Sequence, residues 1–125
     1  MKELRSFEDL KVFQRAYKIS LKIHKLSFQM PKEEQFGGIA DQIRRASKGI
    51  CANIAEGFGK RFISSKEFKR YLSMAIGSAN EMRVWLRYAF DLGYLNQRNW
   101  QSYKQEYLEI AKMLNGLHQS WGKNT

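Results

Sequence analysis

One proline, Pro31, and one cysteine, Cys51, stand in a chain of 125 residues. A lone cysteine closes no internal disulfide, so packing has to hold the fold, and Cys51 reads as a small apolar residue in a reducing compartment. Scarce proline leaves long runs without a helix breaker, which favours long helices. No stretch approaches the roughly 20 apolar residues that a bilayer-crossing helix needs. The opening MKELRSFEDL also lacks the apolar run of a signal peptide. A cytoplasmic protein without a membrane partner is therefore expected. Both histidines, His24 and His118, are isolated, and no Glu-x-x-His pair occurs, so no metal, cofactor or activated nucleophile is expected. Gly57-Phe58-Gly59-Lys60 has the glycines of a phosphate loop but lacks its earlier glycine and its following Ser or Thr.

Acidic residues are also few, with 12 against 22 lysines and arginines, for a formal net charge of +10. A field of that sign attracts polyanions, nucleic acid first among them. With 43% hydrophobic and 14% aromatic residues, the chain has enough apolar material for one packed domain over residues 1–125.

Apolar periodicity predicts four helices, over about 8–30, 39–56, 65–92 and 97–118. In the second, Ile39, Ile43, Ala46, Ile50 and Ile54 fall on one side, and Ser47, Gly49, Ala52, Asn53 and Ala55 around them are small enough for a neighbouring helix to come close. Gly57 and Gly59 are expected to end it by turning left-handed. Ser64 and Glu67 read as a capping box opening the third helix, in which Phe68, Leu72, Ala75, Ala79, Leu86 and Phe90 point inward. Gly93 should close that helix, and Asn96 should cap the fourth. There Trp100, Tyr103, Tyr107, Ile110, Leu114 and Leu117 form an apolar stripe. Short connections give an all-α, up-down-up-down antiparallel four-helix bundle. The tail from Ser120 to Thr125 is read as frayed, with Trp121 available for packing.

The first helix has two apolar faces. Leu10, Phe13, Tyr17, Leu21 and Phe28 form one, which also carries His24, expected to be a partnered core residue. Val12, Ile19, Ile23 and Leu26 form the other. One lone bundle buries about one such arc. A neighbouring subunit is therefore expected, and Val12, Ile19, Ile23 and Leu26 are assigned to that interface. Between the faces, Lys11, Arg15, Lys18, Lys22 and Lys25 make a basic stripe about 20 Å long, with no acidic residue from Leu10 to Lys32.

The stretch QIRRASKGICANIAEGFGK, preceded by FEDLKVFQRAYKISLKIHKL and followed by SKEFKRYLSMAIGSANE, DLGYL and MLNGL, resembles the four-helix-bundle proteins known as 23S rRNA-intervening-sequence proteins. The resemblance runs from about Phe7 to Leu117. It implies a small all-α homo-oligomer, typically a pentamer, with a suspected nucleic-acid role and no established reaction. A related bundle, the accessory protein of diversity-generating retroelements, is similar in assembly.

Two groups of cations are candidates for nucleic-acid contact: the stripe Lys11, Arg15, Lys18, Lys22 and Lys25, and the cluster Lys60, Arg61, Lys66, Lys69 and Arg70 before the third helix. Most aromatics lie on apolar stripes, leaving Phe58, Phe62 and Trp85 as candidates for base stacking. Arg44, Arg45, Asn53, Glu56, Ser78 and Glu81 form a polar set on the second and third helices. Its arginines are expected to pair with its carboxylates and lock the two helices together or against a neighbouring subunit. A hydrolase built on Glu56 and Glu81 would need ligands or a nucleophile that do not accompany them. The expected function is a non-enzymatic homo-oligomer binding structured RNA or DNA through basic surfaces. The alternative is a scaffold docking a protein partner such as a nucleic-acid enzyme.

Overall fold

Ser6 starts the first ordered turn of the chain. Its hydroxyl accepts from the Glu8 amide, and the Asp9 carboxylate accepts from the Ser6 amide at 3.0 Å. This capping box closes a 3₁₀ turn over Phe7–Asp9, and Leu10 then runs extended. The first helix, α1, therefore spans Lys11–Ser27 and starts later than expected. It also stops short of Met30, because the residue before Pro31 is biased away from helical backbone. The computed structural model describes residues 3–122; of the tail expected to fray, residues 123–125 lie outside the described part.

The remaining helices are α2 (Ile39–Gly59), α3 (Ser65–Asp91) and α4 (Gln97–Ser120), and no strand occurs among the described residues. Each helix packs on its neighbours in sequence, and α1 closes against α4. The expected stripes face inward: Ile43, Ile50 and Ile54 of α2, Phe68 and Leu72 of α3, and Tyr107, Ile110 and Leu114 of α4 are all fully buried. Phe90 and Trp100 stack between α3 and α4, 4.3 Å apart. Trp121 does pack, edge-on to Phe68 at 4.7 Å.

Of the expected caps of α3 and α4, one needs correction. Ser64 caps α3 through the Lys66 amide, but Glu67 pairs with Arg70 instead of completing a box. Asn96 caps α4 as expected, accepting from the Asn99 amide, and Gly93 turns left-handed at φ +83°, with the Tyr94 amide reaching the Ala89 carbonyl.

Gly57 neither ends α2 nor turns left-handed. It is buried inside the helix, and a Cβ there would lie 2.5 Å from Tyr71 Cβ and 3.0 Å from Phe68 Cδ1. The glycine is what allows α2 and α3 to approach at this point. At Gly49 a Cβ would meet only Ser78 Oγ, at an ordinary 3.5 Å, so no packing reason holds that glycine within the chain.

The two glycines should therefore respond oppositely to alanine. Gly57→Ala is expected to lose about 1–3 kcal/mol through overpacking. Gly49→Ala is expected to be neutral or to gain up to about 1 kcal/mol from helix propensity. Urea unfolding of both variants checks this contrast.

Candidate nucleic-acid interface

The basic stripe lies on the side of α1 that turns toward α4. Lys11, Lys18, Lys22 and Lys25 are exposed, and none has an ion-pair partner among the described residues. Arg15 differs. Its guanidinium is held by both carboxylate oxygens of Glu106 on α4, with Nε at 3.0 Å from Oε2, and Nη1 lies 3.9 Å from Met113 Sδ. The two side chains, with Lys18, Lys22 and Tyr103, line a depression of about 300 Å³ between α1 and α4. The stripe thus offers four free cations and one that is internally neutralised.

The second basic cluster divides similarly. Lys66 is exposed, while Arg70 is paired with Glu67 at 3.1 Å. Lys60 lies over the Tyr71 ring. Arg61 sits between two rings, 3.7 Å from the centroid of Phe58 and 4.1 Å from that of Phe62, and Nη1 donates to the Phe58 carbonyl. Lys69 is half-buried on the following turn.

The polar set does not lock α2 to α3 through arginine–carboxylate pairs. Arg44 instead reaches back to the connection from α1, donating to Ser27 Oγ (2.9 Å), Gln35 Oε1 (3.0 Å) and the Gln35 carbonyl (2.8 Å). Arg45 pairs with Asp41 one turn before it. Glu56 and Glu81 are exposed and have no partner among the described residues. Ser78 lies beside Gly49, and Asn53 is half-buried. Arg44 finds Gln35 nine residues back and Arg45 finds Asp41 four residues back, both nearer in the chain than the carboxylate of the next helix.

The residues of α1 assigned to a subunit interface lie in the core of the single chain. Val12, Ile19 and Ile23 are at most 5% exposed within this one chain, and Leu26 is half-buried against the same core. The residues beside them explain why. Ala16, Ser20 and Ser27 are buried too, and both serine hydroxyls bond their own helix, to the Tyr17 and His24 carbonyls at 2.6 Å. Small, internally satisfied side chains let α2 and α4 close on this face.

Of the other face, Leu10 is buried and Phe13 half-buried, and the rest is left outside. Tyr17, Leu21 and Phe28 are 51%, 49% and 60% exposed. Phe13, Tyr17 and Leu21 of α1, with Cys51, Ala52 and Ala55 of α2, line a nearly all-apolar groove of about 480 Å³. His24 lines it as well, 2.9 Å from Lys48 Nζ and edge-on to Phe28, so it is not a core residue. On α3, Val84, Tyr88 and Leu92 form a second exposed apolar row at successive turns. Neither patch was legible as exposed, because helical periodicity marks a face as apolar without saying which neighbour covers it.

A family model described as "23S rRNA-intervening sequence protein" matches residues 8–116. A crystal structure from Bacteroides thetaiotaomicron VPI-5482, described as a protein with unknown function from the S23 ribosomal protein family, superposes with a TM-score of 0.78 at 25% identity, covering 87% of this chain and 99% of that one. A search of curated proteins finds no match. Among the described residues, no helix is long and apolar enough to cross a membrane.

These likenesses leave the chemistry of the groove to the chain itself. Burial pushes the Cys51 thiol up from an ordinary 9.0 to about 11, with the Ser20 hydroxyl opposing. The folded chain then keeps a proton that the unfolded chain loses. The resulting stability is complete below about pH 9 and is lost as the pH rises towards 11. Urea midpoints across this range should fall more steeply for the native chain than for Cys51→Ala; parallel curves would remove the thiol from the alkaline response.

Proposed function

Because the chain belongs to the 23S rRNA-intervening sequence protein family, we propose that it is a non-enzymatic, cytoplasmic homo-oligomer that binds structured RNA or DNA through basic surfaces. The observation that carries this reading is the division of labour on α1. One side presents four unpaired lysines, and another presents an apolar groove that the chain leaves uncovered.

Within one copy, the helices run up-down-up-down. The hydrogen bond from Tyr94 Oη to Glu34 Oε2 supports this, since it ties the α3–α4 connection to the α1–α2 connection. Between copies, the second apolar row, Val84, Tyr88 and Leu92, supplies an occupant for the groove. Two different patches on one chain favour a head-to-tail contact, which closes into a ring when the rotation allows. The family resemblance favours five subunits. A ring repeats the lysine stripe around its axis, and phosphate contacts multiply through avidity.

Light scattering with a salt titration against an RNA hairpin and a DNA duplex tests both halves. Tyr17→Glu combined with Leu21→Glu should reduce the mass to that of one chain. Lys18→Glu with Lys22→Glu should keep the mass, weaken binding and flatten its salt dependence, by about one unit of log–log slope for each lysine that contacts a phosphate. A ring that binds neither nucleic acid would transfer the proposal to a protein scaffold.

A further inference from the structure

The turn between α2 and α3 projects Phe62 and Ile63 into solvent, 86% and 78% exposed. Backbone hydrogen bonds from Ile63 and Ser64 to the Lys60 carbonyl make the turn tight, and Ser64 caps α3 directly after it. Beneath the exposed ring lies an ordered stack. Phe58 is 2% exposed, and it packs edge-on against Phe68 at 5.9 Å. The Arg61 guanidinium lies over Phe58, anchored to its carbonyl, and Phe62 lies against that same guanidinium. The stack runs ring, cation, ring, and its outermost member is open.

We propose that Phe62 is the stacking plate for an unpaired base, which makes single-stranded nucleic acid, or a single-stranded loop, the form this turn takes up. This rests on the nucleic-acid reading above and narrows its substrate class. Aromatic plates beside backbone-tracking cations are how proteins hold single strands, and stacking tolerates any base because each has a π-face. The cations are in place. Lys66 and Lys69 follow within two helical turns, and with Ser73, His118 and the Glu67–Arg70 pair, whose charges offset one another, they line a shallow depression leading away from the turn along α3 and α4.

The other two aromatics considered for stacking drop out, since Phe58 is buried and Trp85 is half-buried against the core. Phe36 is more exposed still, at 92%, but Glu33, Glu34 and Asp41 surround it in sequence, a setting that repels phosphate. Two apolar tip residues are too small an anchor for a lipid surface, where even a whole acyl chain binds marginally.

The test uses the full chain and a single-stranded RNA oligonucleotide carrying 2-aminopurine, with a duplex of the same length as control. Wild type should quench the fluorophore on binding. Phe62→Ala should weaken single-strand affinity by about 5- to 150-fold, the range for one lost base stack. Phe62→Trp should restore affinity and quenching, and duplex binding should be unchanged throughout. Equal affinity of wild type and Phe62→Ala for the single strand, with salt-dependent duplex binding intact, overturns the stacking plate and leaves the broader function standing. Loss of binding to anionic phosphatidylserine vesicles in Phe62→Ala, with oligonucleotide binding unchanged, reassigns the turn to a membrane surface. A drop in oligomer mass in Phe62→Ala reassigns it to a subunit contact. Failure of wild type to bind either nucleic acid overturns both readings together.

Discussion

Helix α1 has two neighbours in the bundle and two apolar faces, and the two neighbours lie on the same side of it. Only one face can be buried. The choice falls on the face that carries Val12, Ala16, Ile19, Ser20, Ile23 and Ser27, because its small members let α2 and α4 come near and its serines satisfy their own hydroxyls. Burying the aromatic face instead would put Phe13, Tyr17, Leu21 and Phe28 between helices that approach closely, and would send the Tyr17 hydroxyl into a core without a partner. The exposed groove follows from that choice, as does the position of the basic stripe, which is carried round toward α4.

That rotation also sets what the stripe can do. Glu106 meets Arg15 across 91 positions of sequence, converting one member of the stripe into a tie between helices. Both partners keep solvent contact, with side chains 41% and 28% exposed, so the pair contributes at most about 1 kcal/mol. Its larger effect is on the surface field. Between Lys11 and Lys18 the positive potential is interrupted, and the unbroken part runs through Lys18, Lys22 and Lys25. Exposed lysines at these positions are screened within about 8 Å at physiological salt, so their attraction acts at contact range, where several phosphates have to be met together.

Much of the architecture was legible because α2, α3 and α4 each have one dominant apolar arc, even though α3 carries a second, shorter row at Val84, Tyr88 and Leu92. Ile39, Ile43, Ala46, Ile50 and Ile54, at spacings of four and three, leave no doubt about the inside of α2, and the same holds for Tyr107, Ile110 and Leu114. Gly93 and Asn96 were readable because a left-handed turn and an N-cap have few residue solutions. Gly57 was not, since glycine marks a helix end and a close helix crossing equally well; only the position of Tyr71, fourteen residues on, distinguishes them. The faces of α1 were ambiguous for the same kind of reason, hydropathy being equal on both. The partners of Arg44 and Arg15 depended on folded geometry. Charge composition located the lysines but could not show which arginines the fold consumes.

The two ends of the bundle are held by different chemistry, and the difference bears on where a ligand can act. At one end, Arg44 gathers Ser27 and Gln35 while Glu34 joins the Ile39 amide to the Tyr94 hydroxyl, so its polar groups are spent on one another. At the other end, Phe58, Phe68 and Trp121 form an edge-to-face cluster that supports the Lys60–Ser64 turn from beneath, with Arg61 anchored to the Phe58 carbonyl. Lys60, Arg61 and Arg70 are held there by Tyr71, Phe58 and Glu67, while Lys66 has no ion-pair partner among the described residues and Phe62 keeps its outer face open. A rigid base under an unoccupied surface lowers the ordering cost of binding, and this end combines that base with free positive charge.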